Sequence, residues 1–267
     1  MILSFAAISI LCRDGFFYRG GRSLESLALQ DVCFRYEEQP ILDHVHFSIQ
    51  EGEFVSLIGP SGCGKSTIFR LITGLSQAQS GQVTVAKQPV GYMPQQDLLL
   101  PWRTVLQNTL LPLECQRIPK KRAEEQSKAL LEEFGLGAYM HKKPKDLSGG
   151  MRQRVAFIRA LNASQDVLLL DEPFSALDAL TKMELQDWLY IQAKKWRKTI
   201  LFITHDVDEA LYLSDRILTV QQTPIHTLHE TIVPMEHKRQ RSDLASKEVQ
   251  DVKQQLIHML QQGRQQL

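Results

Sequence analysis

Gly59-Pro60-Ser61-Gly62-Cys63-Gly64-Lys65-Ser66-Thr67 constrains this chain more than any other stretch, because it fits the pattern G-x4-GK[ST] directly after the apolar run 54–58. A strand that ends in a glycine-rich turn and opens a helix directs backbone N–H groups onto phosphate oxygens. The helix N-terminus adds partial positive charge, Lys65 adds a full one, and the Ser66 hydroxyl is suited to ligate Mg²⁺. Continuous apolarity over 54–58 is typical of a buried parallel strand.

The remaining patterning extends an α/β core around that loop. Residues 27–36 and 41–49 read as strands, the second alternating Val45, Phe47 and Ile49 with His44, His46 and Ser48 as a half-buried edge strand does. A helix is expected over 65–75, with short strands at 83–85 and 90–93. From Thr104 to about Ala163 the character is helical, and 120–134 is charged and amphipathic. Strands return at 167–170, 199–204 and 216–220, separated by helices at 179–195 and 206–213. Connections of this length allow right-handed crossovers, which favours a largely parallel sheet interrupted by a helical insert over about 96–162.

Composition excludes several classes. With 43% hydrophobic and 23% charged residues in 267, wholesale disorder is ruled out. A formal net charge of +1 gives no indication of a nucleic-acid partner. No apolar run reaches the roughly 18 residues needed to span a bilayer. Cys12, Cys33, Cys63 and Cys115 show no metal-ligand spacing and read as reduced thiols. The apolar stretch 1–12 lacks a basic n-region, so residues 1–26 are read as a poorly ordered leader rather than an export signal.

A second helix start suited to anions lies at Ser148-Gly149-Gly150, within Leu-Ser-Gly-Gly-Met-Arg-Gln-Arg. Four apolar residues from Val167 then end in Asp171-Glu172, followed by Ser175-Ala176-Leu177-Asp178 and by Thr204-His205-Asp206 at the end of a later strand. Together with the phosphate loop, these motifs resemble the ATP-binding subunit of an ABC transporter over about residues 27–222. The resemblance implies a P-loop NTPase (RecA-like) core, an antiparallel β subdomain on the N-terminal side and an inserted helical signature subdomain. Residues 223–267 then form a strand/helix extension.

Roles follow from the same resemblance, position by position. Tyr36 lies where the family stacks an aromatic on adenine, and Gly59 to Thr67 match its phosphate binders. Ser66, Gln95 and Asp171 match the Mg²⁺ partners, Glu172 the general base, and His205 the histidine that contacts the γ-phosphate. Ser148, Gly149 and Gly150 match the signature that closes on ATP held by a second copy, with Ser175 to Asp178 as the dimer loop. The implied cofactors are ATP and Mg²⁺, and the implied assembly is a head-to-tail homodimer.

Leu98-Leu99-Leu100-Pro101-Trp102 occupies the region where the family receives a helix of a membrane permease. That stretch is similar to importers of nitrate, taurine, alkanesulfonates and thiamine-pyrimidine precursors. The resemblance therefore implies an ATPase peripheral to the cytoplasmic face of the cell membrane, with permease subunits and, indirectly, an extracytoplasmic binding protein. An exporter's ATPase and a non-transport ABC ATPase are the alternatives. Ile158 stands where many family members carry alanine, a departure that bears on packing. In the tail, Val249, Val252, Leu256 and Leu260 recur at helical spacing and are expected to pack on the protein's own core. The run 237–241 reads as solvated charge rather than a lipid-facing patch.

Overall fold

The computed structural model describes residues 25–235 and 239–265, so the leader reading falls outside the described residues apart from Glu25 and Ser26. In chain order the elements begin with β1 (Glu25–Tyr36), β2 (Gln39–Gln50), β3 (Phe54–Ile58), α1 (Lys65–Ile72), β4 (Ser80–Val85) and β5 (Gly91–Met93). Helices α2 (Val105–Cys115), α3 (Lys120–Glu133) and α4 (Gly149–Ala163) form the insert. The chain continues with β6 (Val167–Asp171), α5 (Ala179–Trp196), β7 (Thr199–Ile203), α6 (Val207–Leu213), β8 (Arg216–Thr219), β9 (His229–Ile232) and α7 (Lys247–Gln265).

Two sheets result. Strands β2-β1-β4 make an antiparallel sheet, and β5-β6-β7-β3-β8-β9 make a six-stranded sheet that is parallel except for β9. Strands β3, β6 and β7 are buried at every position, because both faces of the large sheet are covered. Alternate residues of one strand therefore enter different cores. Leu168 and Leu170 of β6 pack with α2, α3 and α4, whereas Val167 and Leu169 pack with α1 and the antiparallel sheet. Ile158 lies fully buried in the first of these cores, so its bulk is accommodated.

Observed boundaries differ little from the expected ones. Helix α1 stops at Ile72 rather than 75, because Gly74 takes φ +73° and turns the chain away. Strand β2 is an edge strand with Val45, Phe47 and Ile49 buried and His44 and His46 exposed, as its alternation requires. The tail joins the core: β9 adds to the large sheet, and Val249 and Leu256 of α7 pack with Ile58, Leu211 and Ile217.

One reading of the tail is corrected. Arg239 is buried rather than solvated, and its guanidinium donates to the carbonyls of Tyr212 at 3.1 Å and Ser214 at 2.6 Å. It also pairs with Asp215 at 3.4 Å, while Arg241 pairs with Asp187 at 2.8 Å and stacks 4.5 Å from the Tyr212 ring. The sequence run hides this because only the fold brings the end of α6 beneath it. Arg239→Ala leaves those carbonyls and Asp215 short of a buried donor and is expected to cost about 3 kcal/mol in denaturant unfolding; a loss under about 0.5 kcal/mol, the size of an ordinary surface substitution, would contradict the pairing.

Candidate active site

Parallel pairing brings three strand ends to one edge. Leu57 of β3 and Asp171 of β6 both register with Ile203 of β7, so the segments after 58, 171 and 203 leave the sheet side by side. The phosphate loop fills the first of these exits. Gly64 caps α1 at φ +106° without a side-chain acceptor, so no side-chain oxygen competes for the N–H groups at the helix start. A Cβ there would lie 2.5 Å from Ile41 Cγ2, which makes glycine a packing requirement as well as a conformational one. Lys65 is folded into the loop, its Nζ donating to Gly59 O at 2.9 Å and Pro60 O at 2.7 Å.

At the second exit Asp171 is almost fully buried and accepts a 2.8 Å hydrogen bond from Ser66 Oγ. Burial pushes its carboxyl above the usual carboxylate range; the Ser66 bond opposes that rise and the Glu172 charge adds to it. A hydroxyl and a carboxylate oxygen at this separation are the donor set of a hard, oxygen-seeking cation, so these residues fit Mg²⁺. Glu172 takes φ +49°, which turns the chain out of the strand while its N–H still donates to Ile203 O at 3.0 Å. Its carboxylate accepts from Gln95 Nε2 at 3.1 Å and lies 3.5 Å from His205 Nδ1 at the third exit. Gln95 thus meets Glu172, and its amide nitrogen is directed there rather than toward the Ser66–Asp171 pair.

Ser148 caps α4 by accepting from Met151 N at 3.3 Å, and it stands exposed with Gly149. Among the described residues no hydrogen bond joins Ser148, Gly149 or Gly150 directly to the phosphate loop. Asp178 caps α5 by accepting from Thr181 N at 3.1 Å, and hydrogen bonds from the Thr181 side chain and then its backbone hold the Asp178 carboxyl below the usual value. Tyr36 is 40% exposed at the end of β1, with its hydroxyl accepting from Arg70 of α1 at 3.4 Å.

Sequence reasoning missed the residues that tie these parts together. Gln153, buried on α4, donates to Glu172 O and Ser175 Oγ, both at 3.2 Å, and accepts from Ala176 N at 3.0 Å. Arg152 pairs with Asp97 at 2.9 Å, and Arg159 donates to Asp97 O at 2.7 Å and Leu98 O at 2.8 Å. One helix therefore holds both the Gln95 segment and the Glu172 segment. Spacing offered a partial signal, since 152, 153 and 159 recur within two turns of a helix that begins at the signature. The stretch expected to meet a permease is split: Leu98 and Trp102 are 59% and 69% exposed, whereas the Leu99 side chain is buried in the core and not available for a surface contact.

A family profile described as "ABC transporter" matches residues 42–175. The formylaminopyrimidine import ATP-binding protein of Halalkalibacterium halodurans is 45% identical over 217 residues, covering 80% of this chain and 87% of the relative. This chain belongs to the ABC transporter family. An aliphatic sulfonates import ATP-binding protein of Pseudomonas syringae pv. tomato is 45% identical over 203 residues, 76% of this chain and 85% of that one. The nitrate import ATP-binding protein of Synechococcus elongatus is 43% identical over 211 residues, 75% and 77% of the two chains. Among solved structures, the ATP-binding cassette MJ0796 in a dimeric post-hydrolysis state with ADP and Pi superimposes with a TM-score of 0.71 at 29% identity, covering 79% of this chain and all of that one.

As a member of this family the chain is an ATP-binding cassette ATPase with the P-loop NTPase fold. Gly64→Ala tests the loop geometry: the added methyl meets Ile41 in a backbone conformation that disfavours it, so nucleotide affinity is expected to fall about tenfold or more. Titration with a fluorescent ATP analogue reads the change, and unaltered affinity would mean the loop does not depend on that packing.

Proposed function

We propose that this ATPase energises import of a small solute through a separate membrane permease. The convergence of Gln95, Glu172 and His205 beside the Ser66–Asp171 pair carries the catalytic part of this reading. The import function of the relatives at 43–45% identity supports the transport part. Nitrate, a sulfonate or taurine, or a thiamine-pyrimidine precursor is the expected class of solute. No helix among the described residues is long and apolar enough to cross a membrane. The chain acts as a peripheral subunit on the cytoplasmic face, beneath permease subunits that receive solute from an extracytoplasmic binding protein.

Tyr36 stacks on adenine, and the N–H groups of Gly59 to Thr67 cradle the phosphates. Lys65 exchanges its carbonyl partners for phosphate oxygens. Mg²⁺, when bound by Ser66 and Asp171 with Gln95 nearby, supplies charge neutralisation at the phosphates. Glu172 takes the proton of the attacking water, Gln95 and His205 hold its carboxylate, and His205 faces the γ-phosphate. Two chains pair head to tail, so that Ser148, Gly149 and Gly150 of one close on ATP held by the other, with Ser175 to Asp178 at the seam. The solution of a related cassette as a dimer supports this pairing. Exposed Leu98, Pro101 and Trp102, with half-buried Leu100, face the permease.

Removing the base while keeping its shape separates binding from chemistry. Glu172→Gln is expected to bind ATP normally, accumulate as a nucleotide-bound dimer and lose about a hundredfold or more in turnover. Turnover near the parent rate would refute the assignment. Lys65→Ala is expected to weaken ATP binding about tenfold or more through loss of a charged hydrogen bond. Pull-down from solubilised membranes is expected to recover a polytopic permease, and Trp102→Ala with Leu98→Ala to lose it. Recovery of the chain only from the soluble fraction would redirect the reading to a non-transport ATPase.

A further inference from the structure

On the exposed side of the β1–β2 pair, three side chains outside the nucleotide site converge. The Sγ of Cys33, a carboxylate oxygen of Asp43 and a ring nitrogen of His44 all lie within 4.8 Å of one another. Asp43 Oδ1 is 3.8 Å from Cys33 Sγ and 3.8 Å from His44 Nε2. A tetrahedral ion with bonds of about 2.0–2.3 Å spans donor pairs about 3.3–3.8 Å apart, so only small shifts separate this arrangement from coordination.

Register explains the convergence. Val32 pairs with Val45 and Phe34 with Leu42, so Cys33 alone stands opposite both Asp43 and His44. The extra residue re-aims consecutive side chains toward one point, as a bulge does.

We propose that Cys33, Asp43 and His44 bind a borderline divalent cation of the Zn²⁺ class, with water in the fourth position. Each donor is oriented by an outer partner. His44 Nδ1 lies 2.6 Å from Asp31 Oδ1, and an ionised carboxylate accepts only, so in the neutral ring the proton sits on Nδ1 and Nε2 carries the lone pair a metal takes. Carboxylates behind ligating imidazoles act in this way, fixing tautomer and direction. Asp43 Oδ2 is held 3.0 Å from His226 Nδ1, which leaves Oδ1 toward the other donors. The His44 N–H donates to Cys33 Sγ at 3.2 Å, a contact that fixes where the sulfur stands relative to the other two donors. A mixed sulfur, nitrogen and oxygen set disfavours Mg²⁺ and Ca²⁺, which take oxygen donors.

Surface ion pairs alone would account for the His–Asp contacts, but they assign no role to a half-buried thiol placed among them. The cluster also adjoins the packing behind the phosphate loop: Leu42 bridges Ile225, and Ile41 and Ile225 are the side chains nearest Gly64. A bound cation would thus cross-link β1 and β2 next to that support.

Titrating the tag-free, nucleotide-free full chain with Co²⁺ as a Zn²⁺ surrogate tests the proposal. One equivalent is expected to raise a thiolate-to-cobalt charge-transfer band that Zn²⁺ then abolishes. Cys33→Ser removes the band, His44→Gln and Asp31→Asn weaken binding about tenfold or more, and Cys115→Ser leaves it intact. Unchanged ATP affinity in these variants shows that they are folded; should Cys33→Ser fail that check, His44→Gln decides through its affinity loss. A parent protein without the band, a band that survives Cys33→Ser, or one lost in Cys115→Ser would overturn the site and leave surface ion pairs only.

Discussion

Everything at the nucleotide site depends on parallel pairing of β3, β6 and β7 in one register. Because Leu57 and Asp171 both align with Ile203, a glycine-rich loop, a pair of carboxylates and a histidine leave the sheet at one edge, although more than a hundred residues separate the first from the last. A slip of one residue would turn every buried side chain of a strand to the other face. The two cores forbid this: Phe54 and Val55, or Leu168 and Leu169, are neighbours in sequence that fill different spaces. Hydrophobic burial on both sides of the sheet is therefore what brings the phosphate loop, Asp171, Glu172 and His205 together.

Helix α4 converts that fixed edge into a connected device. Its first turn presents Ser148 and Gly149 to solvent, while Gln153 binds the backbone around Glu172 and Ala176, and Arg152 and Arg159 bind the segment after Gln95. Gln153 is buried with both ends of its amide used, so movement of the helix would disturb the Glu172 segment unless those bonds broke. Such a rod is suited to transmit strain between the Glu172 segment and the exposed surface at Leu98 and Trp102.

Much of this was legible beforehand for physical reasons. The largely apolar runs at 54–58 and 167–170 are typical of strands buried on both faces, and the glycines of the phosphate loop announce a turn that other residues resist. Less legible were features decided by what packs against a residue. Leu99 looked like its neighbours Leu98 and Leu100, yet the core beside Val105 takes it in. Arg239 looked like one more charge in a solvated run, yet the carbonyls at the end of α6 surround it.

The cysteines mark the division most clearly. Linear spacing excludes a metal motif among Cys12, Cys33, Cys63 and Cys115, and that reasoning holds for any site built along one segment. Strand pairing does not respect such spacing: the irregularity between Val32 and Phe34 in the β1–β2 register sets Cys33 against Asp43 and His44, and the bridge from Leu42 to Ile225 brings His226 beside them. The sequence by itself determined the α/β core, the phosphate loop and the order of the nucleotide motifs, because local chemistry and periodicity dictate them. Only the tertiary structure decided which side chains meet across strands, because register and burial are properties of pairs of segments and not of either one alone.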